Sequence, residues 1–210
     1  MIISHTHPRY SRMVSPYNGA YYYSKEIVEN IIPFVHTDRN WITINVKGYA
    51  CDHSIVFIHN NLHPENYDWL KNYNDLILVC GIPDTIEKVS HLGTAIYVPL
   101  SVDVDYVLRF ARPKCRRTAF VGRSGKKFDF SFPSNIDYIE NLPRAVLLSE
   151  MAEYEEVYAV GRTAIEAKIL GCKVLPYDER FPDPSIWKIR DNTDAVHDLN
   201  KLLKEIDDGK

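Results

Sequence analysis

Two rhythms of apolar residues run along this chain. Short runs of β-branched and aromatic residues, bounded by turn formers, predict strands: MIIS, WITINV, SIVFIHNN, LILVCG, TAIYVPL, TAFVGR, VYAV and KVLPY, with a further one inside FDFSFPSNIDYI. LILVCG is apolar without a break, the pattern of a parallel strand buried on both faces. Between these runs the apolar residues recur every three or four positions, which predicts helices. From Ala20 to Val35 the stripe is Tyr23, Ile27, Ile31 and Phe34, with Pro33 ending or kinking the helix. HPENYDWLKNY, PDTIEKVSHLG and LPRAVLLSEMAEY are shorter helical segments, the first carrying Pro64 near its first turn. The last helix, Thr193 to Ile206, lines up Val196, Leu199, Leu202, Leu203 and Ile206. Strands alternating with helices through residues 1–100 predict a doubly wound α/β layer. HTHPRYSRMVSPYNGA, rich in proline and small polar residues, reads as a loop.

The basic segment from Arg109 to Arg117, RFARPKCRR, has a proline and little periodicity, so it reads as a linker. The expected organisation is an N-terminal domain over 1–112 and a C-terminal domain over 113–210. A chain of 210 residues has room for two such small domains. Its 45% hydrophobic and 25% charged content is ordinary globular composition. The net charge of -3 gives no electrostatic reason to expect nucleic acid as a partner. The four cysteines, Cys51, Cys80, Cys115 and Cys172, form no CxxC pair, so neither a zinc knuckle nor a redox motif is expected. Cys80 and Cys172 lie in or beside apolar runs and read as buried thiols. With no basic-then-apolar start and no apolar run of bilayer length, the expectation is a cytoplasmic, reduced protein without a membrane span.

VYAVGRTAIEAKILGCKVLPY, from Val157 to Tyr177, concentrates the candidate chemistry. It reads as strand, turn at Gly161 and Arg162, helix from Thr163 to Leu170, a stop at Gly171, and a second strand. A strand feeding a helix start brings free N–H groups and a partial positive charge to one place, which suits a phosphate. Glu166, about one turn in, is placed to accept from ribose hydroxyls. The plainer reading of the same residue is a partner for the helix dipole.

Four stretches, in order, resemble GT-B glycosyltransferases, specifically the large retaining group that uses nucleotide sugars. SPYNGAYYYSKEIVENI is similar to that family's glycine loop and first helix. NDLILVCGIPDTIEKVSHLGTAIYVPLSVDVDYV looks like the segment that closes its first domain. FVGRSGKK resembles the strand and loop whose arginine and lysine bind the diphosphate, and GRTAIEAKILGCKVLPYD resembles the nucleotide loop and helix. The resemblance implies two Rossmann-like domains facing each other across a cleft, and transfer of a sugar from a nucleoside-diphosphate sugar. It implies Arg123 with Lys127 or Lys126 at the diphosphate, Gly122 at the end of the preceding strand, Thr163 at the helix start and Glu166 at the ribose. Arg162 is either a phosphate ligand or a cap on the sheet end. Gly19 would let backbone approach the donor phosphate or the acceptor. No divalent metal is required, since fixed cations and backbone dipoles stabilise the leaving diphosphate. His5, His7 and His59, at the ends of the first and third strands, are the candidate bases. The chain departs from the family in its small size. Tyr158 stands where a first glutamate is common, eight before Glu166, and the spacing from Arg123 to Lys126 and Lys127 is compressed.

Two rivals stand beside this. One is a non-catalytic GT-B-like protein that binds a nucleotide or nucleotide sugar. The other is a metal-dependent hydrolase using His5 and His7 of the HTH segment, with His36, His53, His59 and His63 available as further ligands. Arg123, Lys126 and Lys127 also read as a solvated basic loop, and Asp103 and Asp105 as caps for the turn into VDYVLRF. The donor's base and sugar, the acceptor, the anomeric outcome and homo-oligomerisation stay open.

Overall fold

The structure is a computed structural model and describes residues 1–4, 6, 19–44, 47–58, 64–122, 132–176, 179 and 181–209. The chain divides into two compact units, residues 1–100 with 192–210, and residues 101–191.

The first unit holds a five-stranded parallel sheet, β1 (Ile2–Ser4), β2 (Asn40–Thr43), β3 (Ser54–Ile58), β4 (Leu76–Cys80) and β5 (Thr94–Tyr97), lying side by side in chain order. Alternation sends successive residues of each strand to opposite faces. Trp41, Ile55, Phe57, Ile77, Val79 and Ile96 form one core with α1 (Gly19–Asn30) and α6 (Asn192–Asp207). Ile42, Val56, Ile58, Leu78 and Cys80 form the other, with Val89 and Leu92 from α2 (Asp84–Val89) and the turn after it, and with Tyr67 and Leu70 from the 3-10 segment Pro64–Asn72. Helices therefore cover both faces. Among the described strands, however, the order never reverses, so no switch point of the doubly wound kind is seen there.

The second unit holds a four-stranded parallel sheet in the order β7-β6-β8-β9, formed by β6 (Arg116–Gly122), β7 (Asp137–Glu140), β8 (Tyr154–Tyr158) and β9 (Lys173–Leu175). Three α-helices belong to it among the described residues: α3 (Val104–Leu108), α4 (Arg144–Met151) and α5 (Gly161–Ile169). Two boundaries differ from the expected 1–112 and 113–210. The second unit begins at Ser101, and α6 belongs to the first. The basic stretch expected as a linker is built into the second unit. Lys114 Nζ donates to the Ala152 and Leu170 carbonyls at 2.8 and 2.7 Å, so one ammonium serves the C-terminal ends of α4 and α5. The entry and exit of this unit are tied together as well. Val102 N–H donates to the Arg190 carbonyl at 3.1 Å, and Val104 N–H to Asp191 Oδ2 at 3.2 Å.

α6 shows how a correct stripe can sit in an unexpected place. Ala195, Leu199 and Leu203 are buried in the first unit's core beside Ile27 and Trp41. Asn200 fixes the register: its Oδ1 accepts from His36 N–H at 2.9 Å, and its Nδ2 donates to the Phe34 carbonyl at 3.1 Å. Asn192 Nδ2 donates to the buried Glu26 carboxylate at 3.0 Å.

The cysteines behave as read. Cys80 and Cys172 are buried, and burial pushes the Cys80 thiol up to about 12. Burial also raises Cys172, against the opposing pull of Lys114.

Leu199 is fully buried, so Leu199→Ala is expected to destabilise the first unit by about 2–5 kcal/mol, the lost transfer energy plus the cavity. Urea denaturation followed by tryptophan fluorescence, with Trp41 in the same core, measures it. A loss under about 1 kcal/mol would show that α6 is not docked there.

Candidate functional site

In open α/β sheets ligands bind beyond the carboxyl ends of the strands, where the strand order reverses. The second unit has such a point. β6 pairs with β7 on one side and β8 on the other, so the segments leaving β6 and β8 set out from neighbouring strand ends. Gly122 lies opposite Glu140, and two residues beyond the Phe120–Tyr158 pair lie Gly122 and Val160. The ends of the three strands are thus level.

α5 begins directly from β8. Val160, its N-cap residue, is extended and supplies no side-chain cap, and Gly161 has φ +61°, a conformation that favours glycine. The helix therefore starts at Gly161, two residues earlier than Thr163, and β8 is Tyr154–Tyr158 rather than residues 157–160. Gly171, φ +79°, follows its C-terminus as expected. α4 begins after the turn at Asn141, φ +55°, with Pro143 as an N-cap residue that likewise offers no side-chain bond.

Charge at these two helix starts runs against the usual rule. Acids belong in a first turn and cations in a last one. α2 carries Asp84 and Glu87 in its first turn, and α6 carries Asp194. α3 is capped by Asp103, whose carboxylate accepts from Tyr106 N–H at 2.8 Å, as the sequence predicted. α4 and α5 have no acid in the first turn. They carry Arg144 and Arg162 there instead.

Both arginines turn to Glu166. Arg144 Nη2 lies 2.7 Å from Glu166 Oε1, and Arg162 Nη2 lies 3.9 Å from the same oxygen. The carboxylate is 8% exposed and each guanidinium 12%. The Arg144 guanidinium also lies over the Tyr106 ring, 5.6 Å from its centroid, within cation–π range. Glu166 is thus a buried ion-pair partner that joins the first turns of two helices. That environment restricts its approach to a ribose to whatever its thin exposed edge allows.

A second group was also not foreseen. Phe120, Tyr138 and Tyr158 are cross-strand neighbours on the face opposite Ala119, Val121 and Val157, and Phe132 packs on all of them with ring centroids 4.9–6.0 Å apart. The Phe120 ring also explains Gly122. A Cβ there would come within 2.8 Å of the ring, so glycine is required by packing whether or not a phosphate approaches.

The structure brings Gly122, Arg162, Thr163 and Glu166 to one end of one unit. Gly19 opens α1 of the other unit. His5, His7, His59, Arg123, Lys126 and Lys127 lie outside the described residues. Arg144 and the aromatic group were missed. The signal for Arg144 was present, since Pro143 marks a helix start and makes the next residue a first-turn position. Among the described residues no group of three or more His, Cys, Asp and Glu side chains is placed to hold a metal ion. Within that range no helix is long and apolar enough to cross a membrane.

These observations define a parallel α/β unit in which the helices following the two strands that flank β6 start with an arginine and no side-chain cap. No family model matches the chain, and no curated protein or solved structure does either.

Breaking a buried ion pair on one side costs about 3–5 kcal/mol, whereas replacing both partners with apolar groups is often neutral. Arg144→Ala is therefore expected to destabilise the protein strongly, and Arg144→Met with Glu166→Leu to recover most of the loss. Urea denaturation of the single and double variants tests this. Additive losses would show that the two side chains do not act as a pair.

Proposed function

We propose that this protein binds a nucleoside-diphosphate sugar through its second unit and transfers the sugar to an acceptor, as a small GT-B-like, metal-independent glycosyltransferase. The observation that carries the reading is the pair of helix starts that follow β7 and β8, the strands flanking β6, each with an arginine, no acid and no side-chain cap. Helix first turns without a side-chain cap, with guanidiniums beside them, are complementary to a diphosphate, and an anion there would relieve an otherwise unfavourable charge arrangement.

In this reading Arg162 and the helix start at Thr163 take phosphate oxygens, together with Arg123 and Lys127 or Lys126 from the loop after Gly122. Glu166 keeps Arg144 and Arg162 in place and offers its exposed edge to the ribose. Gly19 and the candidate bases His5, His7 and His59 belong to acceptor-side chemistry in the first unit. Leaving-group charge is stabilised by fixed cations and dipoles. Binding rests on the residues of the second unit. Transfer rests on the resemblance in the sequence, so a binding-only protein of the same architecture is the second reading.

Isothermal titration with UDP-, GDP- and ADP-sugars is the first test, and at least one is expected to bind. Arg162→Gln removes a guanidinium without orphaning a close ion pair, and should weaken that binding by about 1.5–3 kcal/mol, the worth of charge-assisted hydrogen bonds. Absence of binding to all three removes the nucleotide reading. Binding without release of free diphosphate, in water or with candidate acceptors, selects the binding-only protein.

A further inference from the structure

At the amino ends of the first unit's strands, one imidazole is held between two carboxylates. His53 Nδ1 lies 2.5 Å from Asp75 Oδ2, and His53 Nε2 lies 3.1 Å from Asp38 Oδ1. An ionised carboxylate only accepts hydrogen bonds, so both contacts need an N–H on the ring. Only the imidazolium has two. The neutral ring must turn a lone pair toward one of the carboxylates, and that contact cannot survive as a hydrogen bond.

The surrounding backbone shows what the ring fastens. Asn40 N–H donates to the His53 carbonyl, His53 N–H to the Asn74 carbonyl, and Ser54 N–H to the Asp75 carbonyl, each at 3.0–3.2 Å. These bonds stitch the segments leading into β2, β3 and β4. His53 and Asp75 both have positive φ, 55° and 53°, which is unfavourable for residues with a side chain and persists where surrounding contacts enforce it. Arg39 Nη1 donates to Asp75 Oδ1 at 2.8 Å, and its Nη2 is 3.9 Å from Asp207 at the end of α6. Asp52 Oδ1 accepts from Asn74 N–H at 2.7 Å, and the Met1 ammonium donates to Asn40 Oδ1 at 3.0 Å. The charged groups around His53 are therefore Asp38, Asp52, Asp75 and Asp207, against Arg39 and the chain's amino group.

We propose that His53 is a pH-operated clasp on the amino ends of β2, β3 and β4, closed on Asp75 and Asp38 when the ring carries two protons and released from Asp38 when it carries one. Asp38 is the side that opens. Its contact is the longer, it is 91% exposed, and Asp75 is also held by Arg39. The two carboxylates hold His53 above its ordinary range, Asp75 contributing more than Asp38. The imidazole in turn holds Asp38 and Asp75 below the usual carboxylate range. The signs agree: the clasp contributes below the unfolded histidine value and is lost as pH rises through the raised folded one. At the acid end it is lost again as pH falls through the depressed carboxylate values. Since the ring and both carboxylates are largely exposed, the effect is on local opening of these turns, and it weakens in salt.

The test is an NMR titration of the His53 ring together with hydrogen exchange at the Asn40 and Ser54 amides. Exchange rates are divided by the intrinsic rate at each pH. The expected result is a raised His53 midpoint, with protection at Asn40 falling about fivefold or more across it. Asp38→Asn should lower the midpoint and flatten that fall, whereas His53→Gln should remove the pH dependence. Asp38→Asn keeps the imidazole and its Asp75 partner, so it remains informative if His53→Gln folds poorly. An ordinary midpoint, a midpoint unmoved by Asp38→Asn, or protection flat across the titration overturns the proposal.

Discussion

A parallel strand can be reached only by a crossover that runs back along the sheet. Every pairing among the described strands of this chain is parallel, and much of the structure follows from that. Within each unit the strands all begin at one edge and end at the other. Turns entering the strands collect at the first edge, and loops and helix starts leaving them collect at the second. The two edges then face different physical demands. The entering turns must be held in register for the strands to pair at all. The leaving ends carry helix N-termini, whose first N–H groups have no partner within the helix.

Strand order decides how far the second edge becomes a site. In the first unit each strand is added beside the last, so the order of the described strands has no reversal. In the second unit the chain steps from β6 outward to β7 and then back across to β8. That reversal sets the ends of β6 and β8 side by side, with the starts of α4 and α5 close to the same edge. The charge pattern follows the topology. The three helices whose starts carry acids, α2, α3 and α6, have that end of the dipole answered by the chain itself. α4 and α5 carry no acid in the first turn, and their first-turn arginines lean on a shared buried carboxylate.

Much of the fold was legible because burial leaves a period in the sequence. The unbroken run Leu76–Cys80 became a central strand buried along its length, and the stripe on the last helix became the buried face of α6. A stripe says that a face is covered and does not name the cover. α6 follows the second unit in sequence, yet its leucines complete the core of the first. The basic stretch around Lys114 misled for a similar reason. Scattered charges look solvated in one dimension, whereas here the ammonium reaches two helix ends that lie 38 and 56 residues further along the chain. Glu166 was recognisable as a first-turn carboxylate of interest. Its pairing with Arg144, 22 positions earlier by number, depends on the way α4 and α5 start from the level ends of the two strands that flank β6, which no local pattern encodes.

The two edges also divide the use of buried and exposed charge. At the entering edge of the first unit, His53, Asp38 and Asp75 are exposed, so water screens each contact and the register depends on many small bonds acting together. At the leaving edge of the second unit, Arg144, Arg162 and Glu166 are almost wholly buried, where the cost of removing charge from water is large and only close pairing offsets it. A chain that needed these residues for packing alone would do as well with apolar side chains of the same size. Arginines set against the helix dipole, on either side of the one reversal of strand order among the described strands, are the feature on which the proposed diphosphate binding rests.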